Sequence, residues 1–210
     1  AIDGKAFAKA MSKGPFVTVY AGGLARDSAF FDADATSFFP YNPAGANALL
    51  DGLGLMDTDG NGIRNLANGG GDLVINLVQN KDSENEKLIG DGLATMMAEV
   101  GIKLNLKPME DTEPTRQSGE WDWAISRAQQ EFAFPNSGYW SEMGPVTTSS
   151  FDPHMGSDEH PQQFQPFEKE IVSILEEWRD GVEGAEAQAL MSRYQKLFTE
   201  NVYMPGIVQY

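Results

Sequence analysis

Cysteine is absent from all 210 residues. That excludes disulfides, thiol catalysis and thiolate metal sites, but leaves the compartment open, since many exported proteins also lack disulfides. Histidine occurs only twice, both times in the segment FDPHMGSDEHP at 151–161, so a Ser-His-Asp triad has little to draw on. Cations are scarce: 15 lysines and arginines stand against 31 aspartates and glutamates, a formal net charge of −16. Clustered positive charge is what holds a phosphate backbone or an anionic lipid surface. Neither nucleic acid nor a membrane surface is therefore an expected partner, and a cationic or zwitterionic ligand suits the balance better. No apolar run approaches the ~18 residues of a membrane-spanning helix. The nucleophile elbow G-x-S-x-G, H-E-x-x-H, the P-loop and G-x-G-x-x-G are all missing, and the run Gly69-Gly70-Gly71 precedes a strand where a phosphate cradle would follow one. The pair His154 and His160, with Asp152, Asp158 and Glu159, matches no helical or strand spacing for a metal and reads as a solvated polar loop.

What is present is an ordinary globular composition, 41% hydrophobic and 22% charged, in a chain long enough for one sizeable core. Ala1 opens directly on an amphipathic pattern, Ile2, Ala6, Phe7 and Met11, that predicts a helix over 1–13 ended by Gly14-Pro15. That abrupt start reads as a piece of a longer protein. Phe16 to Tyr41 shows neither helical nor strand period and reads as an extended loop. Asn42 as N-cap and Pro43 in the first turn open a short helix stopped by Gly52 and Gly54. LVINLV at 73–78 is an apolar run of the kind found in buried strands. Ser83 and Glu86 form a capping box for a helix whose Leu88, Ile89, Leu93, Met96, Met97 and Val100 share one face up to Gly101. IKLNLKP then alternates as a half-buried strand does, completing a β-α-β unit. Trp121 to Ser126 is a third strand, with Trp121 and Trp123 on its core face. The long stretch from Ala128 to Gln165 carries no period. Two amphipathic helices follow, one through Phe167, Ile171, Val172, Ile174, Leu175 and Trp178, the other through Ala187, Leu190, Met191, Tyr194, Leu197 and Phe198, before an apolar strand-like end, YMPGIVQY. Glu168, Lys169, Glu170, Glu176, Glu177 and Arg179 read as the solvated face of the first of these helices.

The order and wording of five segments, AIDGKAF, PYNPAGANALLDGLGLMDTDGNGIRN, the strand-helix-strand unit through GIKLNL, WDWAIS, and the run from PFEKEIVSILEEW to the end, resemble the extracellular solute-binding proteins of family 5, which serve peptide and nickel importers. The resemblance implies an α/β lobe of the type II periplasmic binding proteins, a mixed sheet flanked by helices. Residues 1–210 would be one lobe of a two-lobed clamshell whose first lobe lies elsewhere. It further implies a monomeric, periplasmic or extracellular protein that captures peptides, opines or similar amine-bearing solutes. It would deliver them to the permease subunits of an ABC importer in the membrane, with no enzymatic activity and no cofactor. A calcium-stabilised extracellular hydrolase domain is the alternative from a different class.

Ligands of open α/β sheets sit outside the strand ends, which directs attention to the stretch after Trp121-Asp122-Trp123. The resemblance places an acidic residue four before a proline against the ligand's α-amino group. Counting back from Pro135 gives Glu131. Arg127 would pair with Glu131 or hold a ligand carboxylate, and Gln129, Tyr139 and Trp140 complete the candidate wall. Separately, DTDGNGIRN matches the opening of a calcium loop, with Asp57, Asp59 and Asn61 at alternate positions and Gly62 at the sharp turn, but position twelve is Asn68 instead of a bidentate glutamate. A structural calcium and an Asx-rich turn held by its own hydrogen bonds are the two readings.

Overall fold

A computed structural model describes residues 1–11, 17–118, 121–125, 143–145 and 163–209. These fall into two compact units, one holding 1–11, 40–115 and 121–125, the other 17–39, 116–118, 143–145 and 163–209.

The first unit is built on a parallel sheet. Strand β2 (Val74–Asn80) lies between β3 (Lys103–Met109) and β4 (Trp123–Ala124), with Val74 opposite Lys103 and Leu77 opposite both Leu106 and Trp123. The crossover from β2 to β3 is helix α3 (Glu84–Ala98), the β-α-β unit expected from the periodicity. Ser83 caps α3 by accepting the Glu86 amide at 3.2 Å. Glu86 does not return to Ser83, as a reciprocal box would have it. Its carboxylate reaches past to the Asn80 amide at 2.6 Å and so fastens the helix to the end of its own strand. Two glycines on α3 let neighbours approach. A Cβ at Gly92 would lie 2.6 Å from the ring of Phe7, the buried residue of α1 (Gly4–Met11), and one at Gly90 would collide with the Gln79 carboxamide. Helix α1 is capped by Asp3, which accepts the Lys5 and Ala6 amides at 3.0 Å. Helix α2 (Pro43–Gly52) starts as expected, Asn42 accepting the Gly45 amide at 2.9 Å.

The second unit is a helical pair with a small antiparallel ribbon. Helices α5 (Pro166–Arg179) and α6 (Gly184–Glu200) bury Ile171, Ile174, Leu175, Met191, Tyr194 and Phe198 in one core with Leu24 and Met143, matching the two predicted faces. Parallel and antiparallel pairing thus both occur, but in separate sheets. Further details depart from the sequence reading. The stretch 16–41 is not all loop: Thr18–Val19 form β1, paired antiparallel with β5 (Val208–Gln209). Two residues are too few to show a period. A short helix, α4 (Glu113–Ser118), occupies the polar turn before β4. Glu168, expected on the solvated face, is only 2% exposed, because its carboxylate turns back to accept the Gln165 amide at 2.6 Å at the start of α5.

Candidate functional site

The sheet of the first unit ends, at its carboxyl edge, on Asn80 of β2, Met109 of β3 and Ala124 of β4, with Lys81, Glu110 and Ile125 next in the chain. This edge is locally organised. The Lys81 amide bonds the Met109 carbonyl at 2.7 Å, Asn80 accepts the Asp82 amide at 2.8 Å, and the Lys81 ammonium lies 3.5 Å from Glu110. Such exposed ion pairs add little stability, but they fix where polar groups stand.

Strand β4 launches the segment in which binding chemistry is expected. Its ladder to β2 is only two residue pairs long, and a side-chain row reinforces it. One oxygen of Asp122 accepts both the Asn76 backbone amide at 2.7 Å and the Asn76 side-chain amide at 3.0 Å; Asn76 in turn accepts from Asn105 at 2.9 Å. Asn105, Asn76 and Asp122 thus stand side by side, on β3, on β2 and immediately before β4. This row was not foreseen, although the alternating pattern of IKLNL does put Asn105 on the polar face. The five residues chosen from the sequence, Arg127, Gln129, Glu131, Tyr139 and Trp140, lie outside the described residues, as do His154 and His160.

The loop 57–65 is a self-bonded Asx structure. Asp57 accepts the amides of Gly60 at 2.8 Å and Gly62 at 2.9 Å, Asp59 accepts that of Asn61 at 3.2 Å, and Asn61 accepts that of Ile63 at 2.7 Å. Gly60 and Gly62 take left-handed φ values of 76° and 87°, which side-chain-bearing residues rarely adopt. The amide of Gly62, above all, holds the Asp57 carboxyl below its ordinary value. A depressed carboxylate stabilises the turn above the ordinary range, and that stability is lost as pH falls through the depressed value.

Whether this loop fits calcium turns on its donors. Among the described residues no three acidic or histidine side chains converge on one point. The oxygens of Asp57 and Asp59 already serve backbone amides, and Asn61 donates to Asp72 at 3.1 Å. About 1 mM calcium, against EDTA, is therefore expected to leave the melting temperature of the protein unchanged. A rise of several degrees on adding calcium would instead place an ion at Asp57, Asp59 and Asn61.

Behind the loop stands a residue that sequence reading passed over. Arg64 is 9% exposed, and its guanidinium donates to Val100 O at 2.7 Å, Asp51 at 2.6 Å, Asn47 at 2.6 Å and the Leu55 carbonyl. A single arginine amid Asp, Asn and Gly was the available signal. In the second unit Gln195, fully buried, plays a similar part: its carboxamide accepts the Leu24 amide at 2.6 Å and donates to Gly22 O at 3.2 Å.

The β-α-β sheet, the ribbon and the two closing helices can now be set beside known proteins. The family model described as "Bacterial extracellular solute-binding proteins, family 5 Middle" matches residues 1–149. The chain belongs to the family 5 extracellular solute-binding proteins. It is 32% identical, over its whole length, to the periplasmic alpha-galactoside-binding protein of Rhizobium meliloti (strain 1021), of which it spans 31%. It superposes with a TM-score of 0.90 and 29% identity on a periplasmic binding protein of Agrobacterium fabrum C58 solved in complex with stachyose, covering all of this chain and 32% of that one. The mannohexaose-bound periplasmic oligopeptide-binding protein of Thermotoga maritima shares the fold at a TM-score of 0.76 and 16% identity, covering 98% of this chain and 39% of that one. The chain thus spans about a third of the length of the first two of these relatives. These relatives are binding proteins, not enzymes, and the hydrolase reading has no support among them. None of the described helices is long and apolar enough to cross a membrane.

Proposed function

We propose that the protein carrying this chain is the periplasmic, monomeric binding component of an ABC importer, and that its solute is an α-galactoside-type oligosaccharide, not a peptide or opine. The observation that supports this most is the 32% identity over the entire chain to an alpha-galactoside-binding protein, reinforced by the likeness to a stachyose complex. The change of ligand class alters the roles of the sequence-selected residues. A neutral sugar offers hydroxyl groups and flat apolar ring faces, which planar polar side chains and aromatic rings recognise together. Glu131 would accept hydroxyl hydrogen bonds in place of pairing with an ammonium, Arg127 and Gln129 would supply planar donors, and Tyr139 and Trp140 would supply apolar faces.

Calorimetry on the full-length protein tests this. Heat on titration with stachyose and none with a panel of tri- to pentapeptides is expected; the reverse pattern would replace the reading with peptide capture. Glu131→Gln separates the two chemistries further. It keeps an acceptor but removes the charge, so sugar affinity is expected to fall by no more than about tenfold, whereas loss of a desolvated ammonium partner would cost on the order of a hundredfold or more.

A further inference from the structure

The first unit exposes an apolar surface that nothing described so far employs. Leu49 on α2 is 73% exposed, Leu53 at its end 69%, Met56 just beyond 53%, and Leu66 37%. Backbone geometry gathers them. Leu49 and Leu53 stand one helical turn apart, with the Leu53 amide on the Leu49 carbonyl at 3.1 Å. The Asn65 amide bonds Met56 O at 2.9 Å, which sets Leu66 beside Met56, and a Cβ on Gly54 would stand 3.7 Å from that of Ala67. The surface is preformed, since the Arg64 guanidinium and the Asx turn hold both strands of chain beneath it.

The segment that carries it exposes charge of one sign. From Asp27 to Asn80 the only cation is Arg64, which is buried and committed to Asp51 and to backbone carbonyls. Asp57, Asp59 and Asp72 remain, all on the same loop system. An apolar centre on a segment whose exposed charges are anionic selects its occupant. An anionic lipid surface would be repelled. A second copy, itself at −16, would bring like charge to like. The complementary surface is a protein one that presents apolar side chains among lysines and arginines.

We propose that the face formed by Leu49, Leu53, Met56 and Leu66 is a docking surface for a basic, apolar-tipped protein partner. Resting on the reading above, that partner is the importer's membrane-embedded permease. Two measurements on the full-length protein test it. These 210 residues contain no cysteine, so Leu53→Cys adds a single thiol here, and fast maleimide labelling is expected. Protection from labelling would mean that the rest of the protein's own chain covers the face, which overturns the proposal. The second is binding to nanodiscs of anionic lipid holding the importer's permease subunits, with empty nanodiscs alongside. Leu49→Asp/Leu53→Asp is expected to weaken binding to the loaded discs at least tenfold, and wild-type binding is expected to weaken steeply with salt. Equal binding by the variant, equal binding to empty discs, or no binding by the wild type would each overturn it. Solute calorimetry on the same samples reads the transport function separately: the variant should keep wild-type affinity, and absence of solute binding in the wild type would sink that reading while the nanodisc result still judges the surface.

Discussion

Gly22→Ala is expected to destabilise the second unit by about 4 kcal/mol, adding roughly 1–2 for a side chain forced into left-handed backbone to a collision that core repacking cannot absorb. Gly22 has φ 96°, and a Cβ there would lie 2.4 Å from the Met204 carbonyl oxygen and 3.1 Å from the Phe198 ring. The first of these is backbone, which cannot swing aside as a side chain does. The opposing strand is equally tight: a Cβ on Gly206 would meet Tyr20 Cδ1 at 2.4 Å and the Gly22 nitrogen at 2.6 Å. Two glycines therefore allow 20–24 and 204–207 to cross in contact next to the β1–β5 ribbon, where the Tyr20 amide bonds Ile207 O at 3.3 Å. A ribbon of two residue pairs could not hold this crossing by itself. Gln195 helps from below, gripping Leu24 and Gly22. The denaturant midpoint of the variant checks the expectation, and a loss under about 1 kcal/mol would show that the crossing yields. Gly206→Ala should behave alike, although its strain comes from contact alone.

What could be read in advance follows from how far each signal extends along the chain. Helices α3, α5 and α6 repeat their apolar stripe over three turns or more, so Leu93, Ile171, Tyr194 and Phe198 mark the core from the sequence alone. The caps Asn42 and Ser83 were legible because capping is local: a side chain bonds an amide three residues on. Legibility failed wherever a side chain's partner was not the one that its local pattern implied. Glu86 was assigned to its own cap but serves the end of β2. Glu168 was placed on a wet helix face by periodicity, while its short reach back to Gln165 buries it. The Asp122–Asn76–Asn105 row spans 46 residues and depends on strand order, which no single-strand pattern contains. Ligand class was hard to read for a related reason. A net charge of −16 describes the whole surface and says little about a cleft, so the preference for an amine-bearing solute rested on Glu131 alone, placed there by resemblance. Identity along the whole chain to a sugar-binding relative is the more specific signal.

Arg64 lies at the other extreme from the readable caps, since its four acceptors come from residues 9 to 36 positions away. Arg64→Met keeps much of the apolar stem and removes every donor. The Val100 and Leu55 carbonyls and the Asn47 amide oxygen then lose their partner at once. At about 1–3 kcal/mol for each well-buried orphaned acceptor, and less where water can enter, the expected cost is about 3–4 kcal/mol. Asp51 contributes little to that figure, because its side chain is 53% exposed and can be rehydrated. A double-mutant cycle with Asp51→Asn should accordingly show a coupling below about 1 kcal/mol. Arg64→Lys discriminates between charge and geometry. An ammonium carries the same charge but cannot serve acceptors spread around a planar fork, so it is expected to recover less than half of the loss. Recovery to wild-type stability would mean that the positive charge alone matters here. Gly101 sharpens the expectation: a Cβ on it would touch Arg64 Cγ at 2.8 Å, so the guanidinium is held by the close passage of its stem as well as by its bonds. The lysine chain would retain that passage and still lose most of the bonds, which is why denaturation midpoints of the three side chains at position 64 should fall in the order Arg, Lys, Met with the larger step first.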